Sequence, residues 1–403
     1  MNALNSVVTE GKELWREGKG PSLVVIACGW GLLLGMRMIY PVLLPYFRDT
    51  FELSLTVAGL LITILWLGSA VGQLPGGVLA DRYSERAVMA VSAGIVAAAL
   101  VLVVTAPTAT ILFAATGIVG LGQSLYPIAR ITFLSHMYPD RIGSALGVTM
   151  ATGDLGQTLL PPIAVVLAAL LTWQAGLSFL IPLLLIIGLG IWVILPVQER
   201  AYSGGKLLSI KRMRLLRSDL RESNLLFVSI ILILFFLSWQ AFTGLFPTYL
   251  IEVKGLPSST AGLLFGIFFA FGVIVKPLAG AAYDRIGMRN ALVMVLAGPV
   301  VGLGALPFTE GFWPLVGITV IVSTMLGSGA VTQSFLADAF SSEIRGTGLG
   351  IIRTMTAIIG STGPVIFGGL ADRGYFDEGY LLLSGILIVV ILLTLRLPQS
   401  AFK

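Results

Sequence analysis

Apolar runs of about 18 residues or more, long enough to cross the roughly 30 Å hydrocarbon core of a bilayer, recur between residues 22 and 396. No other feature constrains the chain as strongly. In lipid a backbone can satisfy its hydrogen bonds only within helices or a closed barrel. A barrel would show segments of about ten residues with apolar and polar positions alternating, and the chain lacks that pattern. The fold class is therefore an all-α membrane protein. With 56% hydrophobic and 11% charged residues, the chain leaves a water-soluble core no polar shell. Its 48 glycines suit helices that pack closely in lipid.

Twelve spans are predicted, at roughly 22–47, 54–80, 87–106, 110–136, 141–170, 174–196, 224–251, 258–283, 288–307, 312–340, 345–371 and 379–396. Residues 197–223 form a charged linker between the sixth and seventh. The organisation expected is a cytoplasmic segment 1–20, a six-helix bundle 21–196, the cytoplasmic linker 197–223 and a second six-helix bundle 224–398. Residues 1–20 are too polar for a cleavable signal peptide; a short helix on the cytoplasmic surface and an unstructured segment are both open.

Basic residues set the orientation. With the N-terminus inside, 18 Lys/Arg fall on the inner side, seven of them in the linker, and three fall outside: Arg48, Lys254 and Arg373. Both termini are expected in the cytoplasm and the protein in the plasma (inner) membrane. The formal net charge of +5 reflects this topology, so no nucleic-acid partner is expected. The single cysteine, Cys28, excludes an internal disulfide, and one histidine, His136, is too few for a zinc site. No nucleotide-binding loop and no nucleophile–base arrangement stands out. Neither a cofactor nor an enzymatic activity is expected.

The two halves repeat. GVLADRYSER (77–86) follows span 2, and GAAYDRIGMR (280–289) follows span 8, at an offset of 203 residues. Arg141-Ile-Gly-Ser-Ala-Leu-Gly147 opens span 5, and Arg345-Gly-Thr-Gly-Leu-Gly350 opens span 11. A six-plus-six repeat is the sequence form of an alternating-access transporter. Gly77-x-Leu79-Ala80-Asp81-Arg82-x-x-x-Arg86 resembles the loop 2–3 signature of the major facilitator superfamily, and Gly280-x-x-x-Asp284-Arg285-x-Gly287-x-Arg289 its weaker echo in loop 8–9. The resemblance implies two six-helix bundles related by pseudo-two-fold symmetry. It implies that spans 1, 4, 7 and 10 line a central cavity, that 2, 5, 8 and 11 form the bundle interface, and that 3, 6, 9 and 12 face lipid. It also implies a conformational latch at Gly77, Asp81, Arg82, Arg86, Asp284 and Arg285. A plain packing loop with basic anchors is the alternative there.

Charges inside spans are the functional signal, because each costs about 2.5–3.5 kcal/mol at the bilayer centre on the insertion scale. Five lie well inside: Arg37 (span 1), Arg130 (span 4), Asp154 (span 5), Lys276 (span 8) and Arg353 (span 11). Four cations face one carboxylate. Unpaired cations persist in low dielectric only where water or an anion visits them. The surplus predicts an anionic substrate, with Arg37, Tyr126, Arg130, Trp239, Gln240, Lys276, Gln333 and Arg353 as candidate binding residues. Tyr40, Gln123 and Gln157 complete the polar set. Lys276 and Arg130 can also snorkel to the cytoplasmic interface, Arg37 can pair with Asp154, and the aromatics and glutamines can serve ordinary helix packing. Asp154, the one deep acid, is the candidate for proton coupling: an anion taking Arg37 from it would leave it to accept a proton.

Local resemblances bear on substrate class. Arg37 followed by Pro45-Tyr46 is similar to the organophosphate antiporters, but their span-7 arginine has no match, since residues 224–251 hold no cation. Lys276-Pro277-x-x-Gly280 resembles the Arg-Pro-x-x-Gly of monocarboxylate porters, although Gly272 stands where those porters carry an aspartate. Cations in spans 8 and 11 resemble oxalate/formate-type carriers. The expectation is a secondary active transporter of a small organic anion, a monocarboxylate first, coupled to protons and working as a monomer in the bilayer. The alternatives are a proton-driven exporter of lipophilic cations, which would favour an acid surplus, an organic phosphate/anion exchanger, and a non-transporting sensor on the same fold.

Overall fold

The computed structural model describes residues 14–15, 18–73, 76, 79, 83–196, 223–332 and 345–397, with side chains described from 227 and from 350 in the last two stretches. Gly77, Asp81, Arg82, Gln333, nearly all of the linker and most of residues 1–20 lie outside the described residues.

Among the described residues every regular element is a helix. Besides the 3-10 turns Leu306–Phe308 and Thr324–Gly327, these are in chain order α1 (Gly20–Phe51), α2 (Leu55–Val71), α3 (Glu85–Val104), α4 (Ala109–Ser124), α5 (Tyr126–Met137), α6 (Ile142–Leu170) and the single turn α7 (Ala175–Ser178). They continue as α8 (Leu180–Ile194), α9 (Ser223–Glu252), α10 (Ser258–Ala305), α11 (Phe312–Ser323), α12 (Arg345–Gly360), α13 (Gly363–Ala371) and α14 (Phe376–Leu395). Among the described residues ten helical stretches are long and apolar enough to cross a membrane, and α2 is a further apolar helix of 17 residues. One of the ten, Ser258–Phe308, runs for 51 residues but is broken at Gly287 (φ 74°, ψ 170°). It therefore contains both the eighth and the ninth expected span, and the set is compatible with twelve. Gly287 is the glycine of the loop 8–9 echo, and only a residue without Cβ takes that backbone conformation without strain.

Spans 4, 6 and 11, expected as unbroken helices, are interrupted, span 6 at Phe179 between α7 and α8, and span 10 tightens into a 3-10 helix over Thr324–Gly327. Span 4 divides at Leu125 into α4 and α5, with Pro127 in the first turn of α5. Span 11 divides between α12 and α13, with Pro364 in the first turn of α13. Proline lacks an N–H and is accommodated where a helix begins, so each proline restarts the helix.

Chain contacts define two compact units. Unit 1 comprises residues 1–43 and 64–199; unit 2 comprises residues 44–63 and 200–403. Residues 44–63, which the repeat counts with the first half, thus belong by contact to unit 2. In unit 1, α3 packs against α4, α5 and α8. Glycine brings α1 onto α6: a Cβ at Gly35 or Gly156 would strike the carbonyl oxygen of Gly156 or Gly31 respectively. In unit 2, α10 packs on α11 and α14, and α9 on α12, α13 and α14. Its core is aromatic, with Phe242–Phe246 centroids 4.6 Å apart and Tyr249–Tyr380 4.4 Å apart. The outer face of α8 carries Leu185, Ile186, Leu189 and Val193, all exposed. In water such a stripe is an aggregation hazard; in a bilayer it is lipid contact.

Candidate functional site

The polar cluster of unit 1 is built by α1, α2, α4, α5 and α6. Trp30 and Arg37 are seven residues apart on α1, two turns along one face. Tyr126 and Arg130 stand one turn apart on α5. Arg130 is 6% exposed, and its Nη1 donates to Thr149 Oγ1 at 2.9 Å. Its guanidinium carbon lies 4.0 Å from the centroid of the Trp30 ring. Trp30 in turn stacks on Tyr126, with centroids 6.4 Å apart and planes 17° apart. The Tyr126 hydroxyl donates to the Ile26 carbonyl at 2.9 Å, which fixes that ring to α1. Arg37 repeats the motif, with its guanidinium carbon 3.9 Å from the Trp66 ring centroid.

Neither arginine forms an ion pair among the described residues, and the Nε of each is buried without a hydrogen-bond partner. A cation–π contact is worth about 0.5–2 kcal/mol but leaves the net charge in place. Beside Arg37 lies a cavity of about 40 Å³, whose polar lining is Arg37, Ser69, Gln73, Gln123 and Ser124, with Trp30 among the apolar walls. Gln123 Nε2 donates to Ser69 Oγ, so this part of the lining is already oriented. The volume admits a few heavy atoms, the size of one carboxylate group or a water cluster.

The pair expected between Arg37 and Asp154 is not formed: Arg37 lies on Trp66, and Asp154 Oδ1 accepts from Gln157 Nε2 at 3.4 Å. The aromatic face satisfies the guanidinium plane and leaves charge pairing unmade.

The remaining candidates lie in unit 2. Gln240, on α9, is fully buried, and neither its Nε2 nor its Oε1 has a partner. It lies against Gly360, whose added Cβ would come within 3.5 Å of Nε2. Trp239 is half-buried and packs on Phe236 at 6.0 Å. Lys276 is half-buried and Arg353 exposed. A Cβ at Gly272 would meet Leu326 Cδ1 at 2.8 Å, so the aspartate of the monocarboxylate pattern has no room there without repacking. Of the latch residues, Arg86 donates from Nη1 to the Leu195 carbonyl at 3.1 Å and lies over Trp192 at 4.7 Å. It thereby caps the C-terminus of α8. Asp284 and Arg285 are exposed beside the Gly287 break. Trp30, Trp66, Ser69 and Thr149 were not anticipated; only Trp30, two turns before Arg37, left a signal in the spacing.

The sequence profile of the Major Facilitator Superfamily matches residues 25–334. The chain belongs to this superfamily. A nitrite extrusion protein of Bacillus subtilis (strain 168) is 25% identical over 377 residues, covering 93% of this chain and 91% of the relative. A hexuronate transporter of the same organism is 24% identical over 396 residues, covering 87% and 88%. Among solved structures, a nucleoside transporter mutant superposes with a TM-score of 0.80 at 14% identity, over 93% of this chain and 99% of that one. This major facilitator protein is thus a multi-pass membrane transporter of the secondary type and not an enzyme.

Proposed function

We propose that this transporter carries a small organic anion, with a monocarboxylate as the first candidate, in symport with protons across a bacterial plasma membrane by alternating access, both termini being cytoplasmic. The observation that carries the reading is the pair Arg37 and Arg130: two cations in one unit, each held on a tryptophan face, each with a buried Nε unmatched and neither with a carboxylate partner. Holding such charges in low dielectric is costly, and an anion entering the cavity supplies the missing counter-charge with bidentate hydrogen bonds. The two relatives are named for anions, nitrite and hexuronate, which supports the same sign. Asp154 is the proposed proton carrier; with Arg37 resting on Trp66, its coupling does not run through a release of Arg37. The unmatched amide of Gln240 is the proposed contact for an uncharged polar group of the substrate.

A second reading, a bare oxyanion such as nitrite, is favoured by the cavity volume of about 40 Å³ and by the nitrite relative. Purified protein in liposomes holding a pH dye tests both. Lactate, pyruvate, oxalate, a sugar phosphate, nitrite and a lipophilic cation are added one at a time. Lumen acidification by a carboxylate, lost in Arg37→Ala and Arg130→Ala, is the expected result. A response to nitrite alone selects the second reading. Alkalinisation of a preacidified lumen by the lipophilic cation alone overturns both. Transport by Asp154→Asn with an unchanged pH dependence removes Asp154 from the coupling step.

A further inference from the structure

The tetrapeptide Leu79-Ala80-Asp81-Arg82 of the loop 2–3 signature recurs as Leu370-Ala371-Asp372-Arg373. The first copy follows span 2; the second follows span 11, at the end that the basic-residue count assigns to the outside. In unit 2 the second copy is engaged. The Asp372 carboxylate accepts from the backbone N–H of Leu55 at 2.7 Å and of Thr56 at 2.8 Å, and from the Thr56 hydroxyl. These are the first residues of α2, whose opening N–H groups have no partner inside the helix. A carboxylate from 316 residues away in sequence therefore caps the helix.

The surrounding contacts are built for close approach. A Cβ at Gly59 would strike the carbonyl of Pro364, and one at Gly368 would strike the carbonyl of Leu55, so α2 and α13 touch backbone to backbone. Alongside, Arg48 at the end of α1 forms an ion pair with Glu252 at the end of α9, and its Nε donates to the Leu53 carbonyl at 3.2 Å. Residues 48–59, which the internal repeat counts with the first half of the chain, are thus tied at several points to residues of the second half, all within unit 2.

We propose that Asp372 is a positioning residue for transport: by capping α2 it closes the outer side of the protein, and it releases the α2 N-terminus once in every transport cycle. The second copy of the tetrapeptide is then the outer counterpart of the latch expected at Asp81. The two alternate, because a rocking transporter opens one side as it closes the other.

The test needs no substrate. Spin labels are attached to Val57→Cys and Tyr375→Cys, both exposed positions, in a Cys28→Ser background, and their separation is measured by pulsed electron resonance in liposomes. The parent is expected to show a short-distance population. Asp372→Ala is expected to add a longer one, raising the open-to-closed ratio about fivefold, the scale of one lost helix cap. Asp372→Asn, which keeps one acceptor oxygen, and Thr56→Val, which removes one donor, are expected to fall between. They decide the question in the same way if the alanine variant does not fold. A distance distribution unchanged in the variants overturns the proposal, including where thermal stability alone drops, since that is the behaviour of a merely structural cap.

Discussion

Replacing Arg130 by alanine separates an arginine that serves the fold from one that waits for a ligand. In the free protein the substitution removes the charged hydrogen bond to Thr149, worth about 1.5–3 kcal/mol, and the stack on Trp30, worth about 0.5–2 kcal/mol. It also removes the cost of holding a cation inside the membrane, about 2.5–3.5 kcal/mol on the insertion scale. These terms nearly cancel, so the ligand-free protein should be stabilised by no more than about 1.5 kcal/mol or destabilised by no more than about 2.5 kcal/mol. Stabilisation by an anion should behave differently. At 100 times its Kd a ligand adds about 2.7 kcal/mol, and that increment should vanish with the counter-charge. The assay is thermal unfolding in detergent, followed by tryptophan fluorescence, with and without lactate, pyruvate, oxalate and nitrite. Arg130→Ala should unfold near the parent temperature and lose the anion-dependent rise. Arg130→Lys should retain part of the rise, since it keeps the charge but not the planar fork. If Arg130→Ala lost more than about 4 kcal/mol without ligand and kept the full anion response, Arg130 would be scaffold and the reasoning would fail.

Three further perturbations probe other links. Gly156→Ala places a methyl group on the Gly31 carbonyl and should cost about 1–3 kcal/mol, with a loss of anion response as α1 and Arg37 shift; thermal unfolding and the dye assay read the two effects separately. Gln240→Leu removes a buried amide with two unmatched polar atoms and should stabilise the fold by about 1–3 kcal/mol while blunting discrimination between hydroxylated and plain carboxylates; a loss of stability would mean the amide has its partner in the resting fold. Burial alone would raise the Asp372 carboxyl, but its bonds to Thr56, Ser54 and Leu55 outweigh that and hold it below the ordinary carboxylate value. A depressed carboxyl contributes stability that is complete above its unfolded pKa of about 3.9 and is lost as pH falls through the folded value. Between about pH 5 and pH 3 the parent's unfolding temperature should therefore drop further than that of Asp372→Asn, and equal drops would mean the cap holds no ionised carboxylate.

The spans were legible because lipid leaves a backbone so few options, and the division between the eighth and ninth because Asp284, Arg285 and Arg289 interrupt the apolar run; that Gly287 carries the break in its backbone was not. Arg37 and Arg130 were legible as a surplus of one sign. The helix restarts at Pro127 and Pro364 were missed, although proline marks them, because hydropathy runs through both without a dip. The partner of each arginine was not legible at all. Charge counting paired Arg37 with Asp154, whereas Arg37 rests on Trp66, which lies on another helix at no characteristic spacing. That difference changes the chemistry of the site. A carboxylate partner would occupy the edge of the guanidinium, where its N–H groups point, and an incoming anion would have to displace it. A tryptophan occupies only the face. It lowers the cost of keeping the cation in the membrane and leaves donors along the edge unmatched, as the buried Nε of both arginines shows. An arginine held in this way is retained without being neutralised, so a substrate anion meets a counter-charge that no other group has to give up.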